Sequence, residues 1–279
     1  MKIVTFRDGS RESYGAVVGD KIADFGKVAG APRDLKAAIA QNALTSLNAG
    51  AKPEIALASV TLLPVVPNAG KVLCVGLNYK AHIEEAGRSD SAYPPMFTRF
   101  NDTHVGQGAP MVRPEASTHY DFEGELAIII GKPGRYITKA DSLKHIAGYS
   151  CYNDGSIRDW QMHTHQWIPG KNFPASGAFG PWMVTADEIP DWTKLTLITR
   201  LNGQEVQRTT TDLMVYPIPD LIEYISGFTT LNAGDVIATG TPGGVGFKRK
   251  PPLFMKAGDV VEVDISSIGV LKNPIVDEK

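Results

Sequence analysis

Apolar and polar positions in this chain fall mostly into short runs with the spacing of strands, and only rarely into the wider period of a helix. Residues 3–25 read as β-structure: IVTF is a short strand, RDGSRESYG supplies turn residues, and AVVGDKIADF carries a Gly-Asp turn between two apolar runs. Residues 33–48 predict one helix, because Leu35, Ile39, Leu44 and Leu47 approximate a single face, with Gly50 and Pro53 beyond its end. The Pro-punctuated stretch TLLPVVPNAG then marks a boundary near residue 67, so that a small N-terminal domain (1–66) is expected before a larger domain (67–279). In the larger part KVLCVGLN, ELAIIIG and HIAGYSCYND are apolar strands, and LTLITRLNG, VIATG and DVVEVDI read as further strands. YKAHIEEAG begins a short helix. The clear later helix is IPDLIEYISGF, with Ile218, Leu221, Ile222 and Ile225 on its apolar face. There is no internal repeat and no low-complexity tract. The class is α+β and β-rich, without the strict alternation of a doubly wound sheet.

Composition narrows the partners. The 279 residues carry a formal net charge of −2, and the pI is about 6.3. A basic surface is the usual footprint of a nucleic-acid or anionic-membrane partner, so neither is expected. No run is long and apolar enough to cross a bilayer, and MKIVTFRDGS has no apolar core of signal-peptide length; the cytoplasm is the expected compartment. The two cysteines, Cys74 and Cys151, each sit in an apolar run and read as buried free thiols, not as a disulfide or a zinc site.

Several polar groups stand where they need a reason. Glu123 and Glu125 flank a glycine at the entrance to the apolar run LAIII. Residues i and i+2 of a strand face the same way, about 6.5–7 Å apart, so two carboxylates there can converge on one cation. Taken alone such a pair is more often two solvated glutamates, but charges at a core entrance need a partner or a metal. Asp154 ends another apolar run at an Asn-Asp-Gly turn, where aspartate is also favoured for the turn itself. The three together would form an all-oxygen site that selects Mg²⁺, Mn²⁺ or Ca²⁺ over zinc. His82 and Glu85 lie three apart on the predicted short helix, the arrangement of a carboxylate that orients a general base, or of a solvated surface pair. His163 and His165 lack strand character and a cysteine nearby, so they do not indicate zinc. TGTPGGVG (239–246) has no Walker lysine and no dinucleotide order; it is either a turn between strands or a loop that brings amides and the hydroxyls of Thr239 and Thr241 near a small anion. Lys171, in PGKNFPASG, is either a substrate clamp or an exposed loop lysine.

The order of these pieces decides between the readings. GLNYKAHIEE, PPMFTRF, DFEGELAIIIGK, AGYSCYNDGSIRDWQ, QWIPGKNF, GPWMVTADEIPD, LNGQEVQ, GDVIATGTPGGVG and GDVVEVDISSIGVLKN together resemble the fumarylacetoacetate hydrolase family, from about residue 70 to 274. The resemblance implies a mixed β-roll, with the N-terminal segment similar to an extra domain of many bacterial members, and a homodimer. It implies Mg²⁺, with Mn²⁺ as its substitute, held by Glu123, Glu125 and Asp154. It implies a His82–Glu85 dyad carried by a lid that orders on substrate binding, and Lys171 beside a developing oxyanion or enolate. Arg99, which stands where many relatives have lysine, Gln161 and Thr241 match substrate-contacting positions. Leu77 stands where some relatives carry arginine, and NFPASGAFGPW departs from the commoner pattern after the lysine, so the pocket wall is expected to differ. The lid is expected over Ala86 to Pro95, whose polar, Gly- and Pro-containing sequence has little to anchor it. The expected reaction is hydrolysis of a C–C bond in a 2,4-dioxo acid, releasing pyruvate and a carboxylic acid. Decarboxylation of oxaloacetate, or isomerisation of an unsaturated 2-oxo dicarboxylic acid, is the second expectation.

Overall fold

A computed structural model describes residues 1–87 and 91–279; residues 88–90, in the middle of the expected lid, lie outside the described residues. The strand Gly124–Ile130 is the centre of the architecture, and all seven of its residues are buried. Its alternate side chains enter two different cores. Leu126, Ile128 and Ile130 pack with Leu197, Val263, Leu271 and the apolar face of the helix Ile218–Phe228. Ala127 and Ile129 pack with Ile3, Tyr14, Phe25 and Met183. That is why the run is continuously apolar: a strand covered on both sides has no solvent face to alternate with.

Among the described residues the large sheet has twelve strands. Its main path runs Pro53–Ala56, Lys21–Asp24, Arg11–Val18, Lys2–Asp8, Gly177–Thr185, Ile146–Asn153, Gly124–Ile130, Val236–Ala238, Val72–Val75, Met96–Thr98. A second sheet of five strands, Gln204–Thr210, Thr196–Leu201, Val260–Ile265, Gly269–Asp277 and Met111–Arg113, covers one face of it. The chain is α+β and β-rich, as its pattern predicts. One feature differs, the helix expected over 33–48, and the sheet runs across the boundary expected near residue 67. Lys2–Asp8 pairs antiparallel with Gly177–Thr185, Lys2 opposite Val184, and the second core above is shared by the residues on both sides of position 67. Alternation reports which face of a strand is buried but not which strand lies at its edge. The single helix expected over 33–48 is two, Leu35–Ala40 and Leu44–Gly50. Asn42 between them has φ +52°, the left-handed region that ends a helix, so the periodic leucines belong to two short pieces. Cys74 and Cys151 are free and buried. Among the described residues no helix is long and apolar enough to cross a membrane.

At Gly124 the two sheets lie in close contact. A Cβ built there would lie 2.1 Å from Thr199 Oγ1, on a strand of the second sheet. Gly124→Ala is therefore expected to lower stability by about 1–3 kcal/mol through overpacking. Thermal unfolding checks this; an unchanged midpoint would mean that the sheets separate there without cost.

Candidate active site

The carboxylates meet because two neighbouring strands end together. Gly124–Ile130 pairs antiparallel with Ile146–Asn153, Gly124 opposite Asn153, which sets Glu123 and Glu125 beside Asp154 at the strand mouths. The backbone N–H of Asp154 donates to the Glu123 carbonyl at 2.9 Å. All three side chains are buried, and one oxygen from each lies within 4.8 Å of the others. Two Ca²⁺–oxygen bonds of about 2.4 Å reach across that separation, and two Mg²⁺–oxygen bonds of about 2.1 Å reach about 4.2 Å, so the carboxylates would draw in by a few tenths of an ångström around the smaller ion. It is the one such group among the described residues, and His163 and His165 are exposed outside it.

Three buried cations surround these acids. Lys171, at the end of the short helix Ile168–Lys171, places Nζ 2.8 Å from Glu123 Oε2 and 2.6 Å from Asp154 Oδ2. It is not an exposed loop lysine; its ammonium bridges two of the three acids and keeps one N–H for a ligand. Arg158, which the sequence reading did not single out, holds Glu123 at 2.6 Å and Asp121 at 2.8 Å, and its Nη2 is buried without a hydrogen-bond partner. The signal available was the RDWQ block, where the arginine stands four residues after Asp154.

Arg99 corrects an expectation. It does not line the cavity; it lies behind Asp154, donating from Nη1 to Asp154 Oδ1 at 2.6 Å and to the Gly155 carbonyl, from Nη2 to Ser176 and from Nε to Thr103. With every nitrogen engaged and the side chain fully buried, it fixes a carboxylate and is closed to substrate.

Charge at the floor is unbalanced. Asp121, Glu123, Glu125 and Asp154 face Arg99, Arg158 and Lys171, four buried acids against three buried cations. Burial pushes Glu123 up, but Lys171 and Arg158 outweigh it and hold the carboxyl well below its ordinary range. Glu125 has no cation of its own and accepts a hydrogen bond from the Gly240 N–H. Burial, then Asp154 and Glu123, push its carboxyl well above the ordinary range. A divalent cation fits this set: hard oxygen donors, closely spaced, with one negative charge too many. A group with a raised acid pKa holds its proton through the window above its ordinary value, so a metal must displace that proton to bind. Metal affinity is expected to rise with pH through that window, with proton release on binding. Titration calorimetry in buffers of different ionisation enthalpy measures the release; heats independent of buffer would mean that Glu125 is already ionised.

His82 and Glu85 lie on the helix Lys80–Ala86, with His82 Nδ1 3.5 Å from Glu85 Oε2. That contact is long for a hydrogen bond. Glu85 is fixed from the other side by the Gly244 N–H at 3.0 Å. Burial raises its carboxyl, while His82 and the Gly244 amide outweigh this and lower it. The loop that carries Gly244 resolves the two readings of TGTPGGVG in an unexpected way. Its amides bind the chain's own acids: Gly240 donates to Glu125, Gly244 to Glu85, and Gly246 and Phe247 to Asp121. Gly240 has φ +103°, and a Cβ there would meet Asn78 Cβ at 2.7 Å, so only glycine fits.

Several of these groups line one cavity of about 110 Å³. Glu123, Glu125, Arg158 and Lys171 form its buried floor, and His82 stands beside them. Val75, Phe97, Trp167 and Val245 supply apolar wall, with Leu77, Gln161 and Lys248 at less buried positions. Gln161 gives its carbonyl oxygen to Arg158 and keeps its NH₂ for a ligand. Thr241 lines the cavity, but its hydroxyl donates to the Gly124 carbonyl and accepts from Gln207, so it braces the loop against the strand more than it offers a ligand contact. The space is below the ~150 Å³ of cavities that admit benzene. It takes the head of a small molecule.

Comparison with known proteins places this arrangement. A family model described as "Fumarylacetoacetate (FAA) hydrolase C-terminal" matches residues 71–276. The mitochondrial oxaloacetate tautomerase fahd2 of Xenopus laevis is 43% identical over 220 residues, covering 78% of this chain and 69% of the relative. Among solved structures, the 5-carboxymethyl-2-hydroxymuconate delta-isomerase of Mycobacterium smegmatis superposes with a TM-score of 0.80 at 31% identity, over all of both chains. The maleylpyruvate hydrolase of Sphingobium sp. SYK-6, in complex with manganese(II) and pyruvate, does so with a TM-score of 0.82 at 28% identity, again over all of both chains. Tautomerase, isomerase and hydrolase thus share the fold found here. With three quarters of its length matched by one family model, this chain belongs to the fumarylacetoacetate hydrolase family.

Proposed function

We propose that this enzyme moves a proton on a small 2-oxo dicarboxylic acid, interconverting the enol and keto forms of an oxaloacetate-type substrate. One observation carries the reading: the imidazole of His82 and the buried acids Glu123 and Glu125 line the same small cavity. The oxaloacetate tautomerase among its relatives supports this chemistry over the C–C hydrolysis expected first from sequence.

Glu123, Glu125 and Asp154 would hold the ion, for which we propose Mg²⁺ or Mn²⁺. When bound, the ion supplies a Lewis acid for the carboxylate and 2-oxygen of such an acid. The chain's own groups do the rest. Glu85 faces His82 Nδ1 and favours the tautomer with its proton there, which leaves Nε2 to take a proton from C3 of the keto form as the 2-oxygen gains one from water, or to return a proton to C3 as the enol O–H proton leaves to water. The remaining N–H of Lys171 and the unpartnered Nη2 of Arg158 offer charge-assisted hydrogen bonds to negative oxygen as it develops. Phe97 and Trp167 form apolar wall around that exchange.

The second reading is hydrolysis, supported by the maleylpyruvate hydrolase neighbour, because the same dyad would activate water. Product analysis separates the two. Oxaloacetate enol and an acylpyruvate are supplied in parallel with Mg²⁺, and loss of enol is compared with release of pyruvate. Enol–keto conversion outpacing both hydrolysis and decarboxylation is the expected result. Faster cleavage of the acylpyruvate would reassign the enzyme as a hydrolase. We keep the cytoplasm and a homodimer as proposals for compartment and assembly.

A further inference from the structure

The cavity contains a cation that the mechanism above leaves unused. Arg158 is paired with Asp121 and Glu123, and Lys171 with Glu123 and Asp154. Lys248 is the third cation of the lining, and no ion pair joins it to a carboxylate among the described residues. Its Nζ lies 4.8 Å from the centroid of the Phe247 ring, and the Arg158 guanidinium lies 5.6 Å from the same centroid. The position of this pair is tied to the floor: Asp121 accepts both the Phe247 N–H and Arg158 Nε. Lys248 is half-buried, so its charge is screened less than that of a fully exposed lysine.

A 2-oxo acid bound by its first carboxylate and 2-oxygen at the acidic floor still has its far end to place. A second carboxylate there needs an unlike charge away from Glu123 and Glu125, whereas a methyl group does not. We infer that Lys248 is the specificity-determining residue that contacts the substrate's second carboxylate and selects dicarboxylic over monocarboxylic acids. This rests on the substrate class proposed above, and adds the residue that recognises it.

The test uses a non-reacting pair of equal chain length, malate and 2-hydroxybutanoate, titrated calorimetrically into the Mg²⁺-loaded full chain. The wild type is expected to prefer malate by about 2–5-fold, the worth of one partly screened ion pair. Lys248→Met should bring that ratio near one, and Lys248→Arg should keep most of it. Raising the salt concentration should shrink the wild-type ratio and leave the Met variant unmoved. An equal ratio in wild type and Lys248→Met, or no preference in the wild type, would overturn the assignment. Turnover of oxaloacetate enol, measured on the same proteins, reports on the reaction separately: its absence with the selectivity shift intact would sink the tautomerase reading and keep Lys248 as the selector.

Discussion

Glu125→Gln is expected to cost at least about 100-fold in activity at moderate Mg²⁺, because the change removes a negative ligand and keeps the shape. Glu125 is the member of the cluster with no cation beside it, so the ion is the group that its charge serves. The metal-free variant should nevertheless be no less stable than the wild type. Its carboxyl is pushed up by burial and by two neighbouring acids, and a neutral amide relieves that repulsion. The Gly240 N–H keeps an acceptor, since the amide oxygen can take the place of Glu125 Oε2. Activity against Mg²⁺ concentration, together with thermal unfolding in chelator, measures both halves. Full activity in the variant would remove Glu125 from the metal site. A collapse of metal-free stability would make its role structural.

His82→Ala should lower the rate of proton transfer by about 10²–10⁴-fold, the usual worth of a positioned general base. Mg²⁺ binding should survive, because His82 is outside the carboxylate cluster. Glu85→Gln should cost less. It weakens the alignment of the imidazole, already held at a long 3.5 Å, without removing the group that carries the proton. Decarboxylation of the same substrate needs mainly an electron sink, so any such side activity should fall less than tautomerisation in His82→Ala. Measured rates at saturating Mg²⁺ decide this, and a wild-type rate in the alanine variant would leave the base unidentified.

Sequence legibility tracked burial on both sides of an element. ELAIIIG was readable as a strand because both of its faces meet a core, and IPDLIEYISGF as a helix because Ile218, Leu221, Ile222 and Ile225 share one stripe. Gly177–Thr185 and Gly269–Asp277 were not singled out as strands from pattern, since proline and polar residues interrupt their apolar positions. The joining of the N-terminal strands to the main sheet depends on Lys2 meeting Val184, a pairing that no local window contains. At the site, the spacing of Glu123 and Glu125 gave a shared face; Asp154 stood out as the end of another apolar run, and the order of the blocks decided that the three belong together. Position along a family pattern indicates where a residue stands in the chain, not which way its side chain turns. Arg99 and Thr241 are the cost of that: one faces away from the cavity behind Asp154, and the other spends its hydroxyl on the backbone. Arg158 and Asp121 meet across 37 residues of sequence, and only the fold brings them together.

The most direct test of the account follows the enol of oxaloacetate by its ultraviolet absorbance as it converts to the keto form, with wild-type protein in Mg²⁺ and again in excess chelator. Catalysed loss of the enol in Mg²⁺, falling to the buffer rate in chelator without accompanying release of pyruvate, is the expected result. Conversion at the same catalysed rate in chelator, or no conversion above buffer in either, would contradict metal-dependent proton transfer at this site.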